Sequence, residues 1–146
     1  MTLATLRHVG IVVSDLTVCQ QFWENVFDFT VYAVADESSE FIGKLLHQPA
    51  PIKCKTVKLI GQSNVLIELL HFPENKTTES WNGSCFSTGI THIAFTVENL
   101  DSYITRLELN GFLQNDCAVP SSGGDFLVFY AKGPEGLILE LVQPLK

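Results

Sequence analysis

Arg7-His8-Val9-Gly10-Ile11-Val12-Val13-Ser14-Asp15-Leu16 is the stretch on which the reading of this chain turns. Its middle is apolar and rich in β-branched residues, which reads as a strand. Ser14 or Asp15 then offers a side-chain oxygen to the free N–H groups of a helix start. The pattern returns as Thr91-His92-Ile93-Ala94-Phe95-Thr96-Val97-Glu98-Asn99-Leu100, 84 residues later. Histidine falls on histidine, Asp15 on Asn99 and Leu16 on Leu100. An echo at more than half the length of a 146-residue chain implies two copies of one module.

Working outward, Leu16, Cys19, Phe22, Trp23, Val26 and Phe27 recur at three- and four-residue steps and give a helix ending near Phe27. Phe29–Val34 reads as a strand. Asp36–His47 reads as an inserted helix with Phe41, Ile42, Leu45 and Leu46 as its apolar side, ended by Pro49 and Pro51. Ile52–Ile60 and Val65–Phe72 read as strands joined by the turn Gly61-Gln62-Ser63-Asn64. This first module spans about 1–73. A polar linker follows over 74–89, with Trp81 and Phe86 as expected anchors. The second module spans about 90–146. It begins with a strand Ile90–Val97, then a helix from Glu98 or Asn99 with Leu100, Tyr103, Ile104, Leu107 and Leu109 on its face. Asn110-Gly111 stops that helix, and strands are expected over Phe112–Val119, Asp125–Ala131 and Leu137–Val142. Both modules are thus β-α-β-β-β, an α+β fold. Their ends match as well: Ile67-Glu68-Leu69 returns as Leu139-Glu140-Leu141 at an offset of 72. The shortfall from 84 is the size of the inserted helix.

A chain of this length buries enough surface for a core of its own. The formal charge of −7 argues against nucleic acid, whose binders carry basic patches. No apolar run approaches the roughly 20 residues of a spanning helix, and no basic-then-apolar leader pattern opens the chain, so a cytoplasmic protein without a membrane partner is expected. Cys19, Cys54, Cys85 and Cys117 include no CxxC pair and are expected to be reduced packing residues. Asn75-Lys76-Thr77 and Asn82-Gly83-Ser84 match the glycosylation pattern by chance on this reading.

The chemistry lies in the repeated positions. Each module has a histidine at its first strand and a glutamate in its last, and both glutamates stand among apolar neighbours. A carboxylate removed from water needs a cation, a donor or a proton. Singly, each of these residues is an ordinary core or surface residue. Together, His8, Glu68, His92 and Glu140 form a candidate His2Glu2 metal site. Imidazole and carboxylate donors suit one divalent ion of the Ni, Zn, Co, Mn or Fe(II) kind. Among the other polar residues, His71 either meets solvent or faces the site. Arg7, Lys53, Lys55 and Lys132 are candidate cations for a substrate anion, and Phe126, Phe129, Tyr130 and Trp81 are candidate pocket walls.

Taken in order, His8–Leu16, Ile67–Leu70, Thr91–Leu100 and Gly133–Leu141 resemble the vicinal oxygen chelate superfamily over almost the whole chain. That superfamily includes glyoxalase I, methylmalonyl-CoA epimerase, extradiol dioxygenases and the fosfomycin and bleomycin resistance proteins. The resemblance implies paired βαβββ modules whose mixed sheets curl around a metal-binding cleft, with ligands at His8, Glu68, His92 and Glu140. A three-ligand set of His8, His92 and Glu140 would resemble the dioxygenases and fosfomycin transferases. The fourth position at Glu68 resembles glyoxalase I and the epimerase. The implied function is a metal-dependent lyase or isomerase that moves a proton next to a carbonyl of a chelated small substrate, with Glu68 or Glu140 as the base. An Fe(II) ring-cleaving dioxygenase and a non-enzymatic protein that sequesters a small molecule are the alternatives. A small-molecule substrate and a second copy of the chain are the expected partners. The helix at Asp36–His47 is expected to be a lid, a dimer contact or an edge cover.

Overall fold

In a computed structural model of the protein, the residues described are 3–49, 51–74, 86, 88–114 and 116–145. Trp81, Cys85 and nearly all of the expected linker lie outside them. The chain forms two compact units, Met1–Thr78 and Glu79–Lys146.

The first unit runs β1 (Val9–Val12), α1 (Leu16–Phe27), β2 (Thr30–Glu37), α2 (Ser39–Leu46), β3 (Cys54–Ile60) and β4 (Leu66–His71). Its sheet has the order β1-β4-β3-β2, with β1 parallel to β4 and the remaining pairs antiparallel. The parallel pair follows from the long crossover between β1 and β4. Helix α1 begins at Asp15, whose Oδ1 accepts from Val18 N–H at 2.9 Å. Its buried face, Cys19, Phe22, Trp23, Val26 and Phe27, lies over β3 and β4. The rings of Trp23, Phe22, Phe27 and Phe29 form one aromatic cluster, with Phe29 5.3 Å from Trp23. Val57, Leu59, Ile67 and Leu69 complete the core beneath them. Strand β2 is the exposed edge, with a bulge between Val31 and Ala33 that breaks its regular pairing.

The inserted helix is shorter than its pattern implied. Ser38 caps α2 by accepting from Phe41 N–H at 3.2 Å. Of the apolar residues expected to be its sticky side, only Ile42 is buried, against Ile52 and Cys54. Phe41, Leu45 and Leu46 are exposed, because this two-turn helix meets the rest of its unit along a single line.

The second unit runs β5 (Ile93–Thr96), α3 (Leu100–Leu109), β6 (Val119–Pro120), β7 (Phe126–Lys132) and β8 (Ile138–Pro144). Its sheet order, β5-β8-β7-β6, repeats the first, again with only the β5–β8 pair parallel. Asn99 caps α3 by accepting from Ser102 N–H at 3.0 Å, at the position Asp15 holds in the first unit. Leu100 and Leu107 are buried, whereas Leu109 is exposed, so the buried face of α3 is narrower than the apolar pattern suggests.

Among the described residues of the strand expected over Phe112–Val119, only Val119 lies in a strand, the two-residue β6. Gln114 supplies the reason. Its side-chain amide accepts from Lys132 N–H at 2.9 Å and donates to Lys132 C=O at 3.0 Å, taking over hydrogen bonds that a neighbouring strand would make to the end of β7.

The repeat extends to single backbone bonds. Val13 N–H donates to Leu70 C=O and Val97 N–H to Val142 C=O, both at 2.9 Å. The β3–β4 and β7–β8 connections are one-turn 3-10 helices, Gln62–Asn64 and Pro134–Gly136, each with a left-handed second residue, Ser63 and Glu135, at φ 55°. Each hairpin is closed by a 2.9 Å bond, from Gly61 N–H to Val65 C=O and from Gly133 N–H to Leu137 C=O. Two mixed four-stranded sheets with three helices in βαβββ order bear out the expected α+β fold class.

Candidate metal-binding site

The turns fix the register, and the register fixes the candidate ligands. In the first unit Glu68 stands opposite Gly10 on β1 and opposite Lys58 on β3. Side chains alternate along a strand, so Leu66, Glu68 and Leu70 share one face while Ile67 and Leu69 are buried on the other. His8 lies one residue ahead of β1 rather than inside it, on the Glu68 side of the sheet. Its Nε2 is 3.0 Å from Glu68 Oε2. Gly10, between the two in the register, places no side chain beside them.

The second unit builds the same pair. Glu140 stands opposite Ala94 on β5 and opposite Tyr130 on β7, and His92 lies one residue ahead of β5. His92 Nε2 is 3.1 Å from Glu140 Oε2. Both carboxylates are largely withdrawn from solvent, with side-chain exposures of 13% for Glu68 and 23% for Glu140.

The surroundings of the two pairs differ. Lys58 Nζ is 3.2 Å from Glu68 Oε1, so both oxygens of Glu68 are engaged. The corresponding position in the second unit is Tyr130, whose ring stands edge-on to His92 with centroids 5.3 Å apart. Among the described residues, Glu140 Oε1 has no such partner. The imidazoles differ too. His92 Nδ1 is 2.9 Å from Thr91 Oγ1, which can donate to it when the ring proton is on Nε2. Arg7 occupies the position equivalent to Thr91, and His8 Nδ1 is buried without a hydrogen-bond partner among the described residues.

The donors fit a borderline divalent ion in chemistry and in spacing. Two ligands bonded at about 2.1 Å and at right angles on one ion lie about 3.0 Å apart, close to the Nε2–Oε2 separations of both pairs. The protein thus brings His8 to Glu68 and His92 to Glu140. Among the described residues, no group of three or more His, Cys, Asp or Glu side chains is gathered that could hold a metal ion.

Of the other residues singled out in the sequence, His71 lies on the face of β4 opposite Glu68, and its Nδ1 is 3.1 Å from Val13 C=O. It therefore holds the end of the β1–β4 pair together and does not join Glu68. Lys53 is engaged by Glu74 at 2.5 Å, and that carboxylate raises the lysine above its ordinary range. Phe129 is core, and among the described aromatic candidates Tyr130 alone is seen against a candidate ligand, His92. Lys58 and Thr91 were not among the sequence candidates. A signal for Lys58 was available: it lies ten residues before Glu68 across a short hairpin, as Tyr130 does before Glu140.

Comparison with known proteins bears on the family and the fold. A family profile described as the glyoxalase/bleomycin resistance protein/dioxygenase superfamily matches residues 7–130. A glyoxalase family protein from Bacillus cereus is similar in structure, with a TM-score of 0.88 at 22% identity over 100% of this chain and 97% of that one. A glyoxylase/bleomycin resistance protein/dioxygenase domain from Frankia gives 0.73 at 15% identity over 99% and 95%. The fosfomycin resistance protein FosX from Listeria monocytogenes, as a mutant complexed with Mn(II) and 1S,2S-dihydroxypropylphosphonic acid, gives 0.66 at 17% identity over 96% and 90%. No curated protein matches the chain. No helix among the described residues is long and apolar enough to cross a membrane. With the profile covering most of its length and the doubled βαβββ fold in place, the chain belongs to the glyoxalase/bleomycin resistance protein/dioxygenase superfamily.

Proposed function

We propose that this protein is a divalent-metal-dependent enzyme of the glyoxalase and epimerase kind, a lyase or isomerase acting on a small oxygenated substrate. His8, Glu68, His92 and Glu140 together hold one ion, of the Ni, Zn, Co, Mn or Fe(II) kind. The observation that carries this reading is the same His–Glu pair built twice, at 3.0 and 3.1 Å, by matching strands and turns. The similarity of the fold to FosX, whose structure contains Mn(II), adds support. A second copy of the chain is the expected protein partner.

When bound, such an ion supplies Lewis-acid polarisation of a substrate carbonyl. The chain's own residues divide the remaining work. Glu68 is tied at both oxygens, to His8 and to Lys58, which suits a fixed ligand. Glu140 keeps an oxygen without such a partner among the described residues, so it is the better placed base. That oxygen takes the proton from the carbon next to the carbonyl and returns it. Return by that oxygen to the adjacent carbon yields an isomer, whereas an epimer would need a second acid to protonate the opposite face of the same carbon. Thr91 holds His92 Nδ1 and so keeps Nε2 directed at Glu140.

The test is deuterium incorporation from heavy water into a panel of acyl thioesters and 2-oxoaldehyde adducts, with protein loaded with Mn(II), Ni(II), Zn(II) or Co(II). Metal-dependent exchange next to a carbonyl is expected, falling about 10²–10⁴-fold in Glu140→Gln and less in Glu68→Gln. Oxygen uptake on catechols with Fe(II) would instead establish a ring-cleaving dioxygenase. Tight, metal-independent ligand binding without turnover would establish a sequestering protein.

A further inference from the structure

Lys58 gives the two otherwise matching half-sites different charge. Its side chain is 29% exposed on the sheet face that carries Glu68, and its ammonium lies 3.2 Å from Glu68 Oε1. At the equivalent position the second unit has the neutral Tyr130, directly opposite Glu140 as Lys58 is opposite Glu68. The other carboxylate placed on this face by the register, Glu37, is already engaged, accepting from Thr56 Oγ1 at 3.3 Å. Without a metal, Lys58 and Glu68 cancel one another. With a dication held by the proposed ligands, the charges of Glu68 and Glu140 balance the ion, and Glu68 no longer neutralises Lys58, whose ammonium is left as the unmatched charge beside the ion. Like charges a few ångströms apart and withdrawn from water are costly. An anion bridging the ammonium and the ion removes that cost.

We propose, on the reading that His8 and Glu68 are metal ligands, that Lys58 forms an oxyanion subsite. It selects substrates that carry a carboxylate, phosphonate or phosphate and seats that group beside Glu68. Lys58 is thus a specificity residue, and Glu140 keeps the acid–base work.

The experiment measures methylphosphonate binding to Mn(II)-loaded protein through paramagnetic relaxation of the phosphorus nucleus, in wild type, Lys58→Met, Lys58→Gln and Lys58→Arg. Mn(II) stoichiometry and affinity are determined separately for each by equilibrium dialysis, and folding by circular dichroism. The expected result is one Mn(II) per chain in all four, held by Lys58→Met at least as tightly as by wild type because a competing cation has gone. Methylphosphonate affinity should fall about tenfold or more in Lys58→Met and Lys58→Gln and stay within about threefold in Lys58→Arg. Normal Mn(II) binding with unchanged methylphosphonate affinity in the Met and Gln variants would overturn the subsite and leave Lys58 as a counter-ion of Glu68. Loss of Mn(II) from those variants would overturn it as well, making Lys58 a support of the ligand. A wild type that takes up no metal would fail at the dialysis step, and then the proposed metal site falls before the subsite is reached.

Discussion

Replacing Gly61 with alanine should destabilise the protein through a single ring. A Cβ at that position would stand 2.5 Å from Phe29 Cζ and 2.7 and 2.8 Å from its two Cε atoms. Carbon atoms in contact prefer about 3.5–4.0 Å, so ring and backbone must part by about 1 Å. The ring cannot retreat easily: Phe29 is buried against Trp23, which is itself packed between Phe22 and Phe27. Overpacking of this kind costs about 1–3 kcal/mol. The backbone at Gly61, at φ −107° and ψ −166°, is one that alanine adopts freely, so the ordinary gain of about 0.4–1 kcal/mol from a stiffer unfolded chain offsets part of the cost. A net loss of about 1–2 kcal/mol remains. Phe29→Leu removes all three clashing atoms and costs roughly 1–2 kcal/mol by itself, less than the ~3–5 of truncation to alanine. In that background Gly61→Ala should become neutral or stabilising, giving a coupling energy of about 2 kcal/mol. Urea unfolding followed by tryptophan fluorescence measures all four corners of the cycle. Equal losses from Gly61→Ala in both backgrounds would refute the steric account. Gly61 opens the turn that sets β3 against β4, so the contact also guards the register that places Lys58 opposite Glu68.

Other consequences are independent of it. Asp15→Ala and Asn99→Ala each remove a helix cap and should each cost about 1 kcal/mol in denaturant unfolding, with similar values because the caps are repeats of one another. Gln114→Leu hands the exposed Lys132 backbone groups at the end of β7 to water and should cost about 0.5–1.5 kcal/mol, with faster hydrogen exchange at the Lys132 amide. The Cys54 thiol is pushed up by burial, and further by the nearby charges of Glu37 and Glu68. A raised thiol pKa means less thiolate at any given pH, so Cys54 should resist alkylation at pH 8 while exposed Cys117 reacts, and Cys54 should label only when the protein is unfolded.

The doubled module was legible because both copies keep the residues that local physics demands. Asp15 and Asn99 cap, the helices that follow carry apolar faces, and the glutamates stand among apolar neighbours in the closing strands. What escaped was decided by partners distant in sequence. Phe112–Val119 has strand-like composition, yet the side chain of Gln114 occupies the hydrogen bonds that a strand there would have made. Lys58 looks like any polar residue in an alternating strand until the hairpin register sets it against Glu68. His71 seemed free either to meet solvent or to face the site, and one step of strand alternation settles it on the opposite face. The apolar residues of α2 suggested a broad contact, but a helix of two turns buried only Ile42. The repeat gave each module one histidine and one glutamate, and the β1–β4 and β5–β8 registers pair them, whereas the differences between the pairs rest on Lys58, Tyr130 and Thr91, which the repeat does not constrain.

Whether the two pairs serve one ion, as proposed, is read from the metal content of purified protein reconstituted with Mn(II), Ni(II), Zn(II), Co(II) or Fe(II), beside His8→Ala, Glu68→Gln, His92→Ala and Glu140→Gln. One ion per chain in the wild type, with affinity lost on removing a ligand from either unit, is the expected result. A wild type that takes up none of the five ions, or one whose affinity is indifferent to both His8 and His92, would contradict it.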